Sequence, residues 1–247
     1  GSDAYRIAEG PNHWALKLYM NPQRSPLGDR RVRQAIAHAV DRQELVDKAQ
    51  MGGAIVASLG ILSPGTTWHN PNLPAYAHDV NRARALLAEA GVTSPALTLV
   101  TTETYAREAE LIQGHLRGAG MAITVQTGDQ ATVDGLLREG NYDLLITGHG
   151  GTANPDMEEP APRAVWSDRA YDAAYEASTR AVDNDARRGY AWTMQEIVAT
   201  ELPVLALWHP LMWEVYRPGV VEPFYTLEGV DGGIPMAQNK LMFMPRP

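Results

Sequence analysis

The chain has 247 residues, 45% of them hydrophobic, which is enough to bury a sizeable core in one large domain or two small ones. Lysine and arginine number 21 against 29 aspartates and glutamates, so the net charge is −8; no block of basic residues stands out, which argues against nucleic acid as a partner. The absence of cysteine excludes disulfides, thiolate metal sites and cysteine nucleophiles.

No stretch of the sequence is suited to crossing a membrane. The longest strongly apolar run, from Leu202 to Trp213, is interrupted by Pro203, His209 and Pro210 and is too short to span a bilayer. The first two residues, Gly-Ser, are typical of an expression scar, and no charged-then-apolar leader follows them. We therefore expect a signal peptide to be absent or removed, with the true N-terminus upstream.

The first third of the chain predicts one strand and three helices. The loose alternation from Trp14 to Met20 is typical of a strand. Helices are predicted after Asp29, a suitable N-cap, and after Asp41, where Asp-Arg-Gln-Glu is similar to a capping box. A third helix begins at Asp79 and ends at Gly91, because aspartate caps helix starts and glycine favours the conformation at helix ends.

A long loop, Gly52 to Pro74, separates the second and third of these helices. Its apolar Ile61 and Leu62 are expected to tuck onto the domain surface. Connections of this length are usually functional or pack as their own unit. Trp68 and His69 therefore either face a ligand or anchor the loop against the core.

From Leu97 onward the pattern becomes β-α-β-α-β. The predicted elements are strand Leu97 to Thr101, helix Tyr105 to Leu116, strand Ile123 to Thr127, helix Gln130 to Arg138 and strand Tyr142 to Thr147. Such crossovers are right-handed in nearly all proteins and place their strands parallel in one sheet. We therefore predict an α/β fold with a mainly parallel sheet flanked by helices.

The last predicted strand of this unit breaks abruptly into glycines. Leu144, Leu145 and Ile146 form a continuous apolar run typical of a strand buried on both faces, and Gly148, Gly150 and Gly151 follow. In open α/β sheets ligands bind outside the carboxyl ends of the strands, where glycines allow close backbone approach. The segment from Gly148 to Asp156 is therefore either a ligand-binding loop or a plain surface turn.

The final part of the chain predicts two helices and two strands. The helices begin after Asp168 and Asp183, and Pro203 ends the second. Val204 to Trp208 and Met212 to Tyr216 are strand-like runs. The side chains expected to face inward from the two helices are Tyr171, Ala174, Tyr175, Ser178, Val182, Tyr190, Met194, Ile197 and Val198.

The loop from Gly148 to Ala153 also permits two enzymatic interpretations. It matches the G-x-G-x-x-G/A dinucleotide fingerprint, but Asn154-Pro155-Asp156 follows instead of the helix that phosphate binding requires. The run His-Gly-Gly from His149 is similar to the oxyanion loop of lipase-like hydrolases, but the Gly-x-Ser-x-Gly elbow is absent. A hydrolase or nucleotide-dependent oxidoreductase using this loop is the alternative to a binding protein.

Neither the histidines nor the acidic residues provide a clear chemical site. The seven histidines show no metal-ligand spacing, so the sequence supports no built-in metal site and no resident cofactor. Asp156, Glu158 and Glu159 are either paired carboxylates or, in our interpretation, a solvated acidic turn.

Three segments carry a family resemblance. Asn21 to Pro26 with Asp29 to Arg42, including Arg-Val-Arg-Gln-Ala, strongly resembles the extracellular solute-binding proteins, family 5, of peptide and nickel ABC transporters. Tyr76 to Gly91 is similar to the next signature of that family, and Glu201 to Val204 to its late one. The similarity covers nearly the whole chain.

The resemblance implies a protein of two lobes that close on a small-molecule or peptide ligand and deliver it to an ABC transporter permease. Residues 3–247 would form one periplasmic-binding-protein-like C-terminal lobe, with the N-terminal lobe of the same protein missing from this sequence. The implied protein is monomeric and periplasmic or extracellular, with a lipid anchor as an open alternative. No enzyme activity and no cofactor are implied.

The family's cleft-facing loop, a Trp-Gly-Ala-Asp-type segment, corresponds here to residues 150–153. Gly150 stands in place of the stacking aromatic and Ala153 in place of the acid that clamps a peptide's terminal ammonium. We therefore expect a ligand without a free terminal amine there, with Asp156 as the substitute acid in the peptide alternative. The predicted ligand-binding residues are His149, Gly150, Gly151, Thr152, Ala153, Asn154, Asp156 and Trp68.

Overall fold

The computed structural model describes residues 5–12, 14–64, 66–149, 160–163, 165–217, 221–223 and 243–245. The helices of this part of the chain are α1 Arg30–Ala39, α2 Arg42–Lys48, α3 Val80–Glu89, α4 Ala106–Gly118, α5 Gln130–Glu139, α6 Arg169–Arg180 and α7 Asn184–Glu201, and a 3-10 helix, Glu103–Tyr105, precedes α4. The strands are β1 Arg6–Pro11, β2 Ala15–Met20, β3 Ala54–Val56, β4 Ala96–Thr102, β5 Ala122–Gly128, β6 Leu144–His149, β7 Val204–Tyr216, β8 Val221–Pro223 and β9 Phe243–Pro245.

Aspartate side chains begin nearly all of the described α-helices. In each case a carboxylate oxygen accepts a hydrogen bond from a backbone N–H of the first turn, as Asp41 does from Glu44 at 3.0 Å. Such a cap contributes about 1 kcal/mol to helix stability. The predicted N-caps are confirmed, and the full set is Asp29, Asp41, Asp79, Asp129, Asp168 and Asp183.

The main sheet has seven strands in the order β1-β7-β2-β6-β4-β5, with β3 paired to β7. Strand β4 lies parallel to both β5 and β6, which confirms the predicted crossover unit. The remaining pairs, which involve β1, β2, β3 and β7, are antiparallel. The α/β class is confirmed, and the sheet is mixed where the sequence predicted a mainly parallel one, because the crossover rule constrains only strands that are joined through helices.

Strands β2 and β6 are buried on both faces and divide the core in two. Leu16, Leu18 and Met20 of β2 pack with α1 to α4, whereas Tyr19 faces α5 to α7. On β6, Leu144 and Ile146 face the first side and Leu145 the second, as the apolar run predicts. The sheet is therefore covered by helices on both faces.

Strand β7 is one continuous strand where the sequence predicted two runs. Pro210 lies within it but does not end it. Its carbonyl oxygen accepts a hydrogen bond from the backbone N–H of Asn12 at 2.8 Å, and its nitrogen carries no hydrogen that would need an acceptor in the sheet. Beyond Trp208 the strand leaves β2 and pairs with β1. The two ends of β7 therefore belong to different parts of the sheet.

Three side chains predicted to face inward are exposed. Tyr175, Val182 and Tyr190 have 37%, 99% and 39% of their surface accessible. Helix α6 ends at Arg180, so Val182 lies in the connection to α7. The buried stripe of α6 is narrower than predicted, since its buried residues are Tyr171, Ala174 and Ser178.

The long loop after α2 packs as predicted, although it also contains the short strand β3. Ile61 and Leu62 are buried in the core between the sheet and helices α5 to α7. The loop therefore contributes to the core on both faces of the sheet, with Ala54 and Leu59 on one face and Ile61 and Leu62 on the other.

The ring of Trp14 occupies the space that a side chain on Gly148 would need. A Cβ built on Gly148 would lie 1.9 Å from Cζ2 of Trp14. Trp14 also packs against Trp208 and Tyr105, with ring centroids 5.3 and 6.4 Å away. Gly148 belongs to β6, not to the loop where the sequence placed it, and its lack of a side chain lets Trp14 seal this end of the core.

Arg33 connects α1 to the C-terminus of α7 from a buried position. Its Nε and Nη2 donate to the carbonyl oxygen of Glu201 at 2.8 and 2.6 Å, and Nη1 donates to that of Leu27 at 2.7 Å. Burial lowers the pKa of Arg33, and the Glu201 carboxylate opposes this shift. Arg30 reaches the same Glu201 through a carboxylate oxygen at 2.7 Å, but its side chain is half exposed.

We expect Arg33→Met to lower the free energy of unfolding by about 2–6 kcal/mol, because it removes the donor from the carbonyl oxygens of Glu201 and Leu27, and each buried carbonyl left without a donor costs about 1–3 kcal/mol. The matched change Arg30→Met removes an exposed ion pair and should cost less than about 1 kcal/mol. Urea denaturation of the two variants measures both values. Equal losses for the two arginines would contradict the role assigned to Arg33.

We expect Gly148→Ala to destabilise the protein by about 1–3 kcal/mol, because the added methyl group must displace the Trp14 ring. In a Trp14→Ala background the same change should be neutral or slightly stabilising, because alanine restricts the unfolded chain. Gly135→Ala is the control, since nothing lies within 4 Å of a Cβ there. Additive effects of Gly148→Ala and Trp14→Ala in thermal unfolding would show that this contact is absent.

Candidate ligand-binding site

The carboxyl ends of three parallel strands meet at one edge of the sheet. Strand β4 ends at Thr102, β5 at Gly128 and β6 at His149. Strand β2 runs the other way and begins here, with Ala15 paired to His149. Parallel strands open into loops at such an edge, which is where ligands bind in α/β sheets.

Aromatic side chains form one wall of this edge. Trp14 lies just before β2, and Tyr105 lies in the 3-10 turn that follows β4. Burial raises the pKa of Tyr105, and the negative charge of Glu108 adds to the shift, so its hydroxyl stays protonated at neutral pH. The wall therefore offers flat apolar surface with a neutral hydroxyl group.

Polar side chains lie on the same strand ends. Thr101 donates from Oγ1 to the carbonyl oxygen of Ile146 at 3.0 Å, and Gln130 donates from Nε2 to Oγ1 of Thr147 at 3.5 Å. The hydroxyl of Thr102 is buried and has no hydrogen-bond partner among the described residues. Lys17 is buried opposite Thr147 in the strand register.

Only some of the ligand-binding residues predicted from the sequence lie within the described part of the chain. The backbone of His149 ends β6, at the edge where a ligand would bind. The other predicted ligand contacts of this loop lie outside the described residues and remain predictions; they are Gly150, Gly151, Thr152, Ala153, Asn154 and Asp156. Glu158 and Glu159 of the predicted acidic turn also lie outside the described residues.

Trp68 is held by contacts to α7, as an anchor of the long loop would be. Its carbonyl oxygen accepts a hydrogen bond from Nε2 of Gln195 at 2.8 Å. The guanidinium carbon of Arg187 lies 5.8 Å from the centre of its ring, a distance typical of a cation-π contact. These contacts favour the anchoring interpretation, and a ligand contact of Trp68 remains a prediction.

Sequence reasoning missed Trp14 and Tyr105 as candidate site residues. Tyr105 follows a predicted parallel strand, so the rule for strand ends could have identified it. Trp14 precedes a strand, and only the antiparallel pairing of β2 with β6 brings it to this edge. No local sequence signal specifies that pairing.

The part of the chain that the structure describes provides neither a metal-binding cluster nor a membrane-spanning helix. It contains no group of three or more histidine, cysteine, aspartate or glutamate side chains that could hold a metal ion. It contains no helix that combines the length and apolar character needed to traverse a lipid bilayer.

The chain is similar in sequence to curated proteins and in fold to solved structures. The chain is 26% identical over 220 residues to di/tripeptide-binding protein 2 of Pseudomonas aeruginosa, which covers 81% of this chain and 41% of the relative. It is 26% identical over 147 residues to the nickel-binding periplasmic protein of Escherichia coli, which covers 53% of this chain and 28% of that protein.

The fold is shared with solved structures. HbpA2 from Haemophilus parasuis superposes with a TM-score of 0.84 at 23% identity, covering 92% of this chain and 48% of that one. The prediction of a periplasmic-binding-protein-like α/β fold is confirmed by this likeness. The chain spans about half the length, or less, of the relatives that it matches.

A family model matches more than half of the chain. Residues 2–168, well over half of the chain, match the model described as bacterial extracellular solute-binding proteins, family 5 Middle. The chain therefore belongs to the bacterial extracellular solute-binding proteins, family 5.

Proposed function

We propose that this chain is one lobe of the substrate-binding component of an ABC importer, and that the carboxyl edge of β4, β5 and β6 is its half of the ligand cleft. The observation that supports this most is the meeting of three strand ends with an aromatic wall at one edge, in a chain of this family. The loop from residue 150 to residue 156 follows β6 directly and would lie against the ligand.

An exposed apolar ribbon supports the proposal of a second lobe. Strand β1 pairs with residues 211–216 of β7, beyond the point where β2 begins. Ile7 pairs with Val215, and Trp213 lies two residues further along the same face; 66%, 64% and 50% of their surfaces are accessible. Apolar side chains gathered on one exposed face mark an interaction surface, and here we assign it to the N-terminal lobe.

The cargo follows from the chemistry at residue 153. A terminal ammonium group enclosed in a cleft needs a carboxylate partner, because a buried unpaired charge costs several kcal/mol. Ala153 supplies none, so we propose a cargo without a free amine at that position, such as a metal chelate or another small organic solute. Peptides remain the second candidate because Asp156 could replace the acid, and one relative is named as a di/tripeptide-binding protein.

Binding, not catalysis, is the proposed activity. Two relatives of the chain are named as a di/tripeptide-binding protein and a nickel-binding protein. The described strand ends supply threonine, glutamine and aromatic groups without an assembled nucleophile and base. The protein would act outside the cytoplasm, in the periplasm or on the cell surface with or without a lipid anchor. It would be monomeric and would deliver its ligand to an ABC transporter permease.

A thermal-shift screen of the full-length protein tests the cargo. We expect a metal chelate or an amine-free solute to raise the melting temperature, because a ligand at one hundred times its Kd stabilises the folded state by roughly 2.7 kcal/mol. Di- to pentapeptides with a free amine should give no shift. A clear shift with such peptides that disappears on N-acetylation would contradict the proposal for residue 153.

Restoring the acid gives the matched control for that screen. We expect Ala153→Asp to increase the affinity for free-amine dipeptides at least about tenfold, because a desolvated charge pair contributes several kcal/mol. Ala153→Asn has the same shape without the charge and should leave the affinity unchanged. Equal effects of both substitutions would show that residue 153 does not face the ammonium position.

A further inference from the structure

A second cavity lies apart from the strand ends, beside the start of α2. It is a groove of about 310 Å³, within the size range of small-molecule pockets. Residues 57–59 after β3 form one side and residues 69–77 form the other, so none of the residues at the carboxyl ends of β4, β5 and β6 takes part. The side chains that define it are Arg42, Ser58, Leu59, His69, Leu73 and Tyr76.

Arg42 supplies a positive charge with unused hydrogen-bonding capacity. Its Nη1 donates to the carbonyl oxygens of Ala57 and Ala206 at 2.8 and 3.1 Å, which fixes the guanidinium against β7. Among the described residues, Nε and Nη2 have no acceptor, and these two nitrogens form the edge that binds a carboxylate in bidentate fashion. Burial lowers the pKa of Arg42 to about 10, so the group is charged at neutral pH.

The other polar groups of the groove favour an anion. Ser58 and Tyr76 each accept a hydrogen bond through oxygen, from Gly60 N at 3.3 Å and from Gln34 Nε2 at 3.4 Å. Their hydroxyl hydrogens are therefore available to donate. No aspartate or glutamate is among the described residues that line the groove, so nothing there neutralises Arg42.

The apolar lining limits the kind of anion. Leu59, Leu73, Pro71 and Pro74 border the same space, so an inorganic ion would leave apolar surface exposed to water. A molecule that carries one carboxylate on an apolar body matches both the charge and the lining.

We propose that this groove is a second ligand site, which binds a small organic monocarboxylate with its carboxylate on Arg42 and its apolar body against Leu59 and Leu73. The site is independent of the cleft at the strand ends.

The probe for this site is 3-phenylpropionate, compared with its neutral amide, 3-phenylpropionamide. Titration calorimetry on the 247-residue chain should give a Kd for the acid at least about tenfold lower than for the amide, because a hydrogen bond to a charged group is the stronger kind. Arg42→Gln should abolish this difference. Arg84→Gln, which removes an exposed arginine that donates to Gly118 O at 2.6 Å, should leave it unchanged.

A second variant protects the test against loss of folding, since Arg42 also holds Ala57 and Ala206. Ala75 is exposed and lines the groove, so Ala75→Trp should fill the space and weaken binding of the acid at least about tenfold without touching Arg42. Ala88→Trp, on the exposed face of α3, is the control and should bind as the parent chain does.

Three outcomes would overturn the proposal. The first is equal affinity for the acid and the amide, or no binding of either. The second is tight binding of the acid that Ala75→Trp leaves unchanged, which would place the acid elsewhere on the protein. The third is binding of inorganic phosphate with the same dependence on Arg42 and with higher affinity than the acid.

Discussion

Strand β2 is the element on which the arrangement of the sheet depends. All six of its residues are buried, and it forms antiparallel pairs with β6 on one side and β7 on the other. It thereby joins a unit that is continuous in sequence, β4 to β6, to β7, which comes later in the chain. Because β2 enters from the carboxyl edge of the parallel strands, Trp14 and the β1 ribbon lie at that edge as well. The aromatic wall of Trp14 and Tyr105 and the exposed pairing of β1 with β7 share this one cause.

Features that depend on neighbours in sequence could be predicted from the residues alone. The aspartate caps, the Gly91 helix end and the β-α-β-α-β unit follow from contacts a few residues apart or from the handedness of crossovers. The mixed character of the sheet could not be predicted, because no short-range rule sets the direction of β2 against β6. The helical spacing of apolar residues continues in the sequence past Arg180, where α6 ends. The sequence therefore predicted that Val182 faces the core, whereas the residue is exposed.

The candidate site divides in the same way. The glycines at the end of β6 could be read directly from the sequence. The place of that strand end at the carboxyl edge was predictable because crossovers through helices make β4, β5 and β6 parallel. The contact of Gly148 with the Trp14 ring could not be predicted, because the two residues are far apart in the sequence. The contacts of Trp68 to Gln195 and Arg187 hold the long loop, which favours the anchoring interpretation that the sequence left open beside a ligand contact. The length of the loop from Gly52 to Pro74 and its His69 were the only sequence signals near the groove beside Arg42, and the packing of that loop, which creates the groove, could not be predicted.

Hydrogen exchange of the full-length protein, with and without its tightest-binding ligand from the thermal-shift screen, tests the assignment of the cleft most directly. A ligand at the carboxyl edge should slow exchange of the backbone N–H groups at residues 102–105, 128–130 and 148–156, which follow or end β4, β5 and β6. Residues at the opposite ends of these strands, 95–97, 121–123 and 142–144, should not change. Slower exchange at those opposite ends, with none at the carboxyl edge, would contradict the account.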